Sequence, residues 1–97
     1  MDNKNRTPTD LYAEALHVYT QARERLTKAT VAYDFERHNA RTALYALKES
    51  GARKMTEEQI RSEAVVRCHA VYKEYTEALG ACEIAFEKLE FAKHINK

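Results

Sequence analysis

The sequence contains few of the residues that interrupt helices and few of those that form covalent links. Its 97 residues include only two Gly, one Pro and two Cys, and there is no Trp. Scarce Gly and Pro predict long uninterrupted helices, because these residues end or kink a helix. Two Cys give no disulfide framework, so we expect both thiols to be reduced. No signal segment and no run of about 18 apolar residues is present, which predicts a soluble, cytoplasmic protein that does not enter membranes.

The chain also has no large excess of either charge. Its formal net charge is +1, with 32% charged and 44% hydrophobic residues. A strong basic excess is the usual sign of a chain that binds nucleic acid or anionic lipid, and it is missing here. The apolar content is high enough for folding, since disordered chains are poorer in apolar side chains.

Two apolar seams predict two long helices. The start of the first helix is indicated by a cap at Thr7, a proline at the first helical position, Pro8, and an acid in the first turn, Asp10. The first seam alternates steps of three and four, as in a coiled coil, with Glu36 as its one charged member. Its residues are Tyr12, Ala15, Tyr19, Ala22, Leu26, Ala29, Tyr33, Glu36, Ala40, Ala43 and Leu47. The second seam is Ala64, Cys68, Val71, Tyr75, Ala78, Cys82, Ala85, Leu89 and Ala92. We interpret Glu36 as a buried polar residue that fixes register.

The segment between the seams predicts a sharp reversal. Gly51 can adopt the positive φ found just past a helix end. Thr56 and Gln59 form a capping box, and Met55 and Ile60 have the spacing of a hydrophobic staple. We therefore predict one domain over 1–97, with a flexible tail at 1–6, a helix over about 8–50, a turn at 51–55 and a helix over about 56–95.

Such a short turn allows only an antiparallel return, so the predicted fold is all-α, an antiparallel two-helix hairpin of coiled-coil type. The predicted register places Tyr19 beside Ala85 and Tyr33 beside Val71, so that large residues meet small ones. A single seam leaves further apolar stripes uncovered, which predicts a homodimer that forms a four-helix bundle, or docking on an unidentified protein. The predicted protein interface is Val31, Phe35, His38, Tyr45, Val65, Tyr72, Leu79 and Phe86. Ile84, Phe91 and Ile95 lie on another face of the second helix.

Several kinds of chemistry are not indicated by any motif. The sequence has no Gly-rich phosphate loop, nucleophile elbow, paired catalytic carboxylates, Cys-x-x-Cys or His-x-x-x-His. We therefore expect neither catalysis nor a cofactor. The remaining metal hypothesis sets Cys68 and His69 opposite Glu36 and His38 across the hairpin, where ordinary packing is the better interpretation.

The alternative function is nucleic-acid binding through basic residues near the turn. These residues are Arg37, Arg41, Lys48, Arg53 and Lys54. Acidic side chains are interspersed among them, which favours a mixed solvated surface, whereas a phosphate-binding tip is the more specific hypothesis.

The turn reads Glu49-Ser50-Gly51-Ala52, and the chain has no Trp. In architecture the predicted hairpin resembles the small secreted WXG family of bacterial helical-hairpin dimers. That family carries Trp-x-Gly in its turn and a C-terminal Tyr-x-x-x-Asp/Glu export signal, and neither occurs here, so we do not assign the chain to it. Short near-neutral helical chains without catalytic motifs are also typical of bacteriophage accessory proteins. The sequence thus favours a non-enzymatic adaptor, inhibitor or assembly factor, including a phage or bacterial accessory protein.

Overall fold

A computed structural model of the protein describes residues 7–95, and this part of the chain is all-helical. Its helices are α1 (Pro8–Glu49), α2 (Glu57–Arg67) and α3 (His69–Ile95). The predicted tail at 1–6 lies outside the described residues. The all-α class predicted from the two seams is therefore confirmed for the described part.

Contacts group the chain into two compact units. The first, here called the terminal unit, is Met1–Thr27 with Glu77–Lys97, of which residues 7–27 and 77–95 are described. The second, here called the hinge unit, is Lys28–Thr76.

The start of α1 is capped by reciprocal hydrogen bonds. The backbone N–H of Asp10 donates to Thr7 Oγ1 over 3.1 Å, and the backbone N–H of Thr7 donates to Asp10 Oδ2 over 3.2 Å. Pro8 occupies the first helical position, where its missing N–H costs nothing. The helix start predicted from these three residues is confirmed.

The end of α1 is a Schellman motif built on a glycine. Gly51 has a φ of 78°, in the region that a Cβ disfavours. The Gly51 N–H donates to the carbonyl of Lys48 over 3.2 Å, and the Ala52 N–H donates to the carbonyl of Leu47 over 3.1 Å. These two bonds satisfy carbonyls that the end of a helix otherwise leaves without partners.

The start of α2 has the capping box that the sequence predicts. The Thr56 N–H donates to Gln59 Oε1 over 2.8 Å, and the Gln59 N–H donates to Thr56 Oγ1 over 3.1 Å. Met55 and Ile60, on either side of the cap, are both buried in one cluster with Leu44. The hydrophobic staple is thus part of the core of the hinge unit.

The predicted second helix is divided at Cys68, which corrects the continuous helix expected over 56–95. Cys68 has φ −98° and ψ 21°, about 60° from the helical ψ. Its N–H is shared between the carbonyls of Ala64 and Val65, both at 3.1 Å, and its own carbonyl accepts from the Tyr72 N–H at 2.9 Å. The hydrogen-bond ladder therefore continues on both sides of a one-residue distortion. Two β-branched residues at 65 and 66 precede it and weaken the local helix preference.

The predicted seam of α1 is correct in part after Tyr33, which is the second correction. Ala40 and Leu47 pack against the core of the hinge unit as predicted, but two other members are replaced by their neighbours. Glu36 and Ala43, both predicted on the seam, are exposed, whereas Arg37 is half-buried and Leu44 is fully buried. An α-helix has 3.6 residues per turn, so a strict 3.5-residue repeat drifts around its surface. The replacement buries a leucine instead of an alanine and leaves the carboxylate in water, so the predicted register-fixing role of Glu36 is wrong.

The seam of the later helices agrees with the spacing. Ala64, Cys68, Ala78, Ala85, Leu89 and Ala92 are buried. In the terminal unit the Tyr19 ring lies 5.8 Å from the Phe86 ring. In the hinge unit the Tyr33 ring lies 5.4 Å from that of Tyr72. Within each unit, these contacts involve residues next to the predicted partners Ala85 and Val71.

Candidate interaction surfaces

Two of the predicted interface residues, Leu79 and Phe86, lie together in the terminal unit. They line a shallow pocket of about 340 Å³. We call it the column pocket, and its lining is Tyr19, Leu79, Cys82, Glu83, Phe86 and Glu87. Phe86 stays 47% exposed although its ring packs on Tyr19. The guanidinium of Arg23 lies 5.9 Å from the centre of the Tyr19 ring. The pocket thus offers an aromatic floor beside two carboxylates.

The hinge unit holds the other six predicted interface residues, and they do not form one patch with each other. Val31 and Phe35 are 64% and 66% exposed. Each is two residues from buried Tyr33, about 200° around the helix, so both point away from the face on which Tyr33 packs. His38 is also exposed.

Three of these six residues instead pack within the hinge unit. Val65 is half-buried, and the half-exposed Tyr72 ring leans on Tyr33. The Tyr45 hydroxyl donates to a carboxylate oxygen of Glu57, so this side chain joins α1 to the start of α2. Tyr45 is therefore an internal contact of the hinge unit.

A second apolar surface in the terminal unit was missed as a site by sequence reasoning. It is a groove of about 280 Å³. We call it the terminal groove, and it is lined by Leu11, Glu14, Ala15, Val18, Ala85, Lys88, Phe91, Ala92 and Ile95. Val18 and Phe91 are 50% and 66% exposed. The sequence does carry a signal, since Leu11 and Val18, like Ile84 and Phe91, are seven residues apart and share a helix face.

The basic residues of the alternative nucleic-acid surface are largely engaged with acids. Arg53 Nη1 lies 2.8 Å from Glu63 Oε1, Lys48 Nζ lies 3.7 Å from Glu57 Oε1, and Arg37 Nη2 lies 3.3 Å from Asp34 Oδ1. Arg41 is half-buried, and exposed Lys54 lines a groove with Arg53. Three of the five basic residues therefore have a carboxylate beside them, which lowers their attraction for phosphate.

Two carboxyl groups in the hinge unit have shifted pKa values. The hydrogen bond from the Tyr45 hydroxyl, with a smaller contribution from Lys48, lowers the pKa of Glu57. The hydrogen bond and charge of Arg53 lower the pKa of Glu63, and the same pair raises the pKa of Arg53. Each interaction stabilises the ionised form, so these contacts are strongest when both carboxylates are charged.

The thiols and histidines do not assemble into a reactive centre in the described part of the chain. Burial raises the pKa of the Cys68 thiol, and the nearby carboxylate of Glu36 raises it further. A thiol held in its protonated form is a poor nucleophile and a poor metal ligand. Residues 7–95 contain no group of three His, Cys, Asp or Glu side chains placed to hold a metal ion. The hypothetical cluster with His38 and His69 is therefore not formed.

The helices over residues 7–95 do not include one with the length and apolar content needed to cross a membrane.

Comparison of the chain with known proteins gives no relatives from which to infer a function. No protein-family model matches it, and neither a curated protein nor a solved structure shows significant similarity.

Proposed function

We propose that the chain is an antiparallel helical hairpin that dimerises into a four-helix bundle and acts, without catalysis, by binding another protein. One observation carries the proposal, namely the exposure of large apolar side chains in the terminal unit. Seven of the eleven large hydrophobic residues that are exposed in the described part belong to this unit. They are Leu11, Leu16, Val18, Ile84, Phe86, Phe91 and Ile95. Apolar surface concentrated in this way is typical of protein contact sites.

The column pocket suits a partner of particular chemistry. Its floor of Tyr19, Leu79 and Phe86 can receive apolar side chains from an amphipathic helix, which is a common mode of peptide recognition. Glu83 and Glu87 beside that floor favour a partner that carries Lys or Arg next to its apolar stripe. An adaptor, inhibitor or assembly factor works through contacts of this kind. We place it in the cytoplasm, where its two free thiols stay reduced.

Nucleic-acid binding through the basic residues near the turn is the weaker proposal. It requires phosphate to displace the carboxylates that now lie beside Arg37, Lys48 and Arg53. Such binding falls steeply with salt, whereas binding through the apolar floor of the column pocket depends less on salt, because only Glu83 and Glu87 contribute charge there. Titration of the protein into a short duplex at two salt concentrations separates the two proposals.

Dimerisation is tested by light scattering coupled to size exclusion, at low and at high salt. The expected mass is about 22 kDa at both, twice the 11.2 kDa of one chain. The dimer should persist in high salt because apolar contacts are not screened. A mass of one chain at every concentration would remove dimerisation from the proposal.

Binding to another protein is tested by site-specific photo-cross-linking in the producing cell. A photoreactive residue in place of Phe86 should give a cross-linked product that contains a second, different protein. The matched control replaces Phe35, which is more exposed but lies in the hinge unit. Equal products from both positions, or none from Phe86, would contradict a partner site at the column pocket.

A further inference from the structure

The terminal groove has matched residues at similar heights on its two helices. Within the terminal unit, Arg25 Nη2 of α1 lies 3.8 Å from Glu77 Oε2 of α3. Counting back seven, eleven and fourteen residues from Arg25 gives Val18, Glu14 and Leu11. Counting forward by the same steps from Glu77 gives Ile84, Lys88 and Phe91. Because both helices rise by about 1.5 Å per residue, the two residues of each pair lie at similar heights, to within the reach of the long Arg25 and Glu77 side chains.

In each of these pairs, the two residues match one another chemically across the groove. Two pairs are apolar, Leu11 with Phe91 and Val18 with Ile84, and the pair between them joins an acid to a base, Glu14 with Lys88. Five of these residues line the groove, and Ile84 is 56% exposed one heptad before Phe91. The lining of the column pocket, by contrast, includes two carboxylates and no base. The terminal groove thus carries an acid on α1 and a base on α3, a match that the lining of the column pocket does not have.

A two-fold axis parallel to the helices converts these pairs into contacts between two copies. Such an axis keeps the height of every residue and lays α1 of one copy on α3 of the other. Glu14 then meets Lys88 of the second copy, twice by symmetry, and Leu11 meets Phe91. A two-fold axis perpendicular to the helices, at the height of Glu14 and Lys88, instead lays α1 of one copy on α1 of the other. It brings Glu14 against Glu14 and Lys88 against Lys88. Like charges placed opposite each other disfavour that arrangement.

We propose that the terminal groove is the self-association surface, occupied by the same groove of a second copy with α1 on α3. The inference rests on the dimer in the proposed function and names the face that forms it. It leaves the column pocket, with Leu79 and Phe86, for a different protein. It also replaces the predicted dimer interface with one centred on Val18 and Phe91.

The first test measures the dimer dissociation constant of the full chain and its variants by analytical ultracentrifugation. Val18→Glu should weaken the dimer at least roughly a hundredfold, because a carboxylate would be buried in an apolar contact. Glu14→Lys alone and Lys88→Glu alone should each weaken it roughly tenfold through two repulsive pairs. An equimolar mixture of these two chains should dimerise at least as tightly as the wild type, because both pairs become attractive again. A mixture that stays monomeric would overturn the inference, and helicity by circular dichroism controls for folding.

The second test reports which helices face each other. In a Cys82→Ala background, a chain with Glu14→Cys is mixed with a chain with Lys88→Cys under mild oxidation. A disulfide between the unlike chains is expected, because its formation needs Cβ atoms within about 4.5 Å. A disulfide between two copies of the Glu14→Cys chain would instead indicate α1 on α1 and refute the proposed arrangement.

The failures of the two proposals can be told apart. If Val18→Glu still dimerises and Leu79→Lys does not, the dimer stands but forms through the column pocket, which overturns the assignment of the terminal groove. If the wild type is monomeric at every concentration, both the dimer and this surface are excluded. Protein binding through the column pocket is then judged separately, by the cross-linking at Phe86.

Discussion

The two units of the chain bury different kinds of side chain. The hinge unit fully buries Leu44 and Ile60 and packs Met55 with them. The described part of the terminal unit buries mainly alanines, at 78, 85 and 92, with Leu89 as its one large buried side chain. The terminal unit keeps most of its large apolar residues on its surface.

Under the proposed function, this difference assigns stability mainly to the hinge unit and binding to the terminal unit. Burial of a leucine or isoleucine contributes about 1.5 to 3 kcal/mol, whereas an alanine contributes much less. The hinge unit thus has its own core, together with a Schellman motif and a capping box. The terminal unit would gain similar burial if another surface covered its grooves, as the proposed function requires. We therefore expect core substitutions to act on folding in the hinge unit and surface substitutions to act on association in the terminal unit.

The largest effect on folding is predicted for Leu44→Ala. The side chain is fully buried against Ile60 and Ala64, so its removal should lower the free energy of unfolding by about 2 to 5 kcal/mol. Urea unfolding, followed by circular dichroism, should show this loss of stability as a lower urea concentration at the midpoint of unfolding. A change below about 1 kcal/mol would contradict the burial of Leu44.

The matched control is the neighbouring residue. Ala43→Lys should change the free energy of unfolding by less than about 0.5 kcal/mol, because Ala43 is exposed. The strict repeat predicts the opposite, since it places Ala43 on the seam and Leu44 beside it. Strong destabilisation by Ala43→Lys would contradict the replacement of Ala43 by Leu44 on the buried face of α1.

A smaller effect of opposite sign is predicted for the two glycines. Gly51→Ala in the hinge unit should cost about 1 kcal/mol, because its φ of 78° is unfavourable for a residue with a Cβ. Gly80→Ala in the terminal unit should stabilise α3 by about 0.5 to 1 kcal/mol. Apart from its chain neighbours and the nearby backbone of its own helix, a Cβ at Gly80 meets no atom of the described chain within 4 Å, so no packing clash opposes the gain. Thermal melts measure the change in melting temperature of each variant relative to the wild type. Changes of the same sign in the two variants would contradict this account.

Local signals made the helix ends predictable from the sequence. The caps formed by Thr7 with Asp10 and by Thr56 with Gln59 depend only on residues within four positions of each other. The same is true of Gly51 at the end of α1. These features can therefore be predicted without knowing the fold. The seam of α3 was predictable for a related reason, since Ala78, Ala85 and Ala92 repeat every seven residues and all are buried. Such features depend on spacing alone.

The misjudged features depend on packing at a distance. The shift from Ala43 to Leu44 follows from contacts with Ile60 and Ala64, which lie beyond the turn. No Gly or Pro near Cys68 predicts the distortion of the helix there. The two β-branched residues before it are only a weak signal of such a distortion. The terminal groove was missed because its two walls come from opposite ends of the chain, and neither wall is continuous in the sequence.

The smallest predicted effect is a pH dependence that belongs to the hinge unit. The folded-state pKa values of Glu57 and Glu63 lie below the ordinary value of 4.5. The stability that they contribute is therefore complete above about pH 4.5 and is lost as the pH falls through the folded pKa values. Tyr45→Phe removes the main cause of the Glu57 shift, so it should reduce the difference in melting temperature between pH 6 and pH 3. Glu57→Gln should be less stable than the wild type at pH 6 and equal to it once Glu57 is protonated. Hydrogen exchange should place the acid-induced loss of protection around the start of α2, and a loss confined to the terminal unit would contradict the assignment, because neither of these carboxylates lies there.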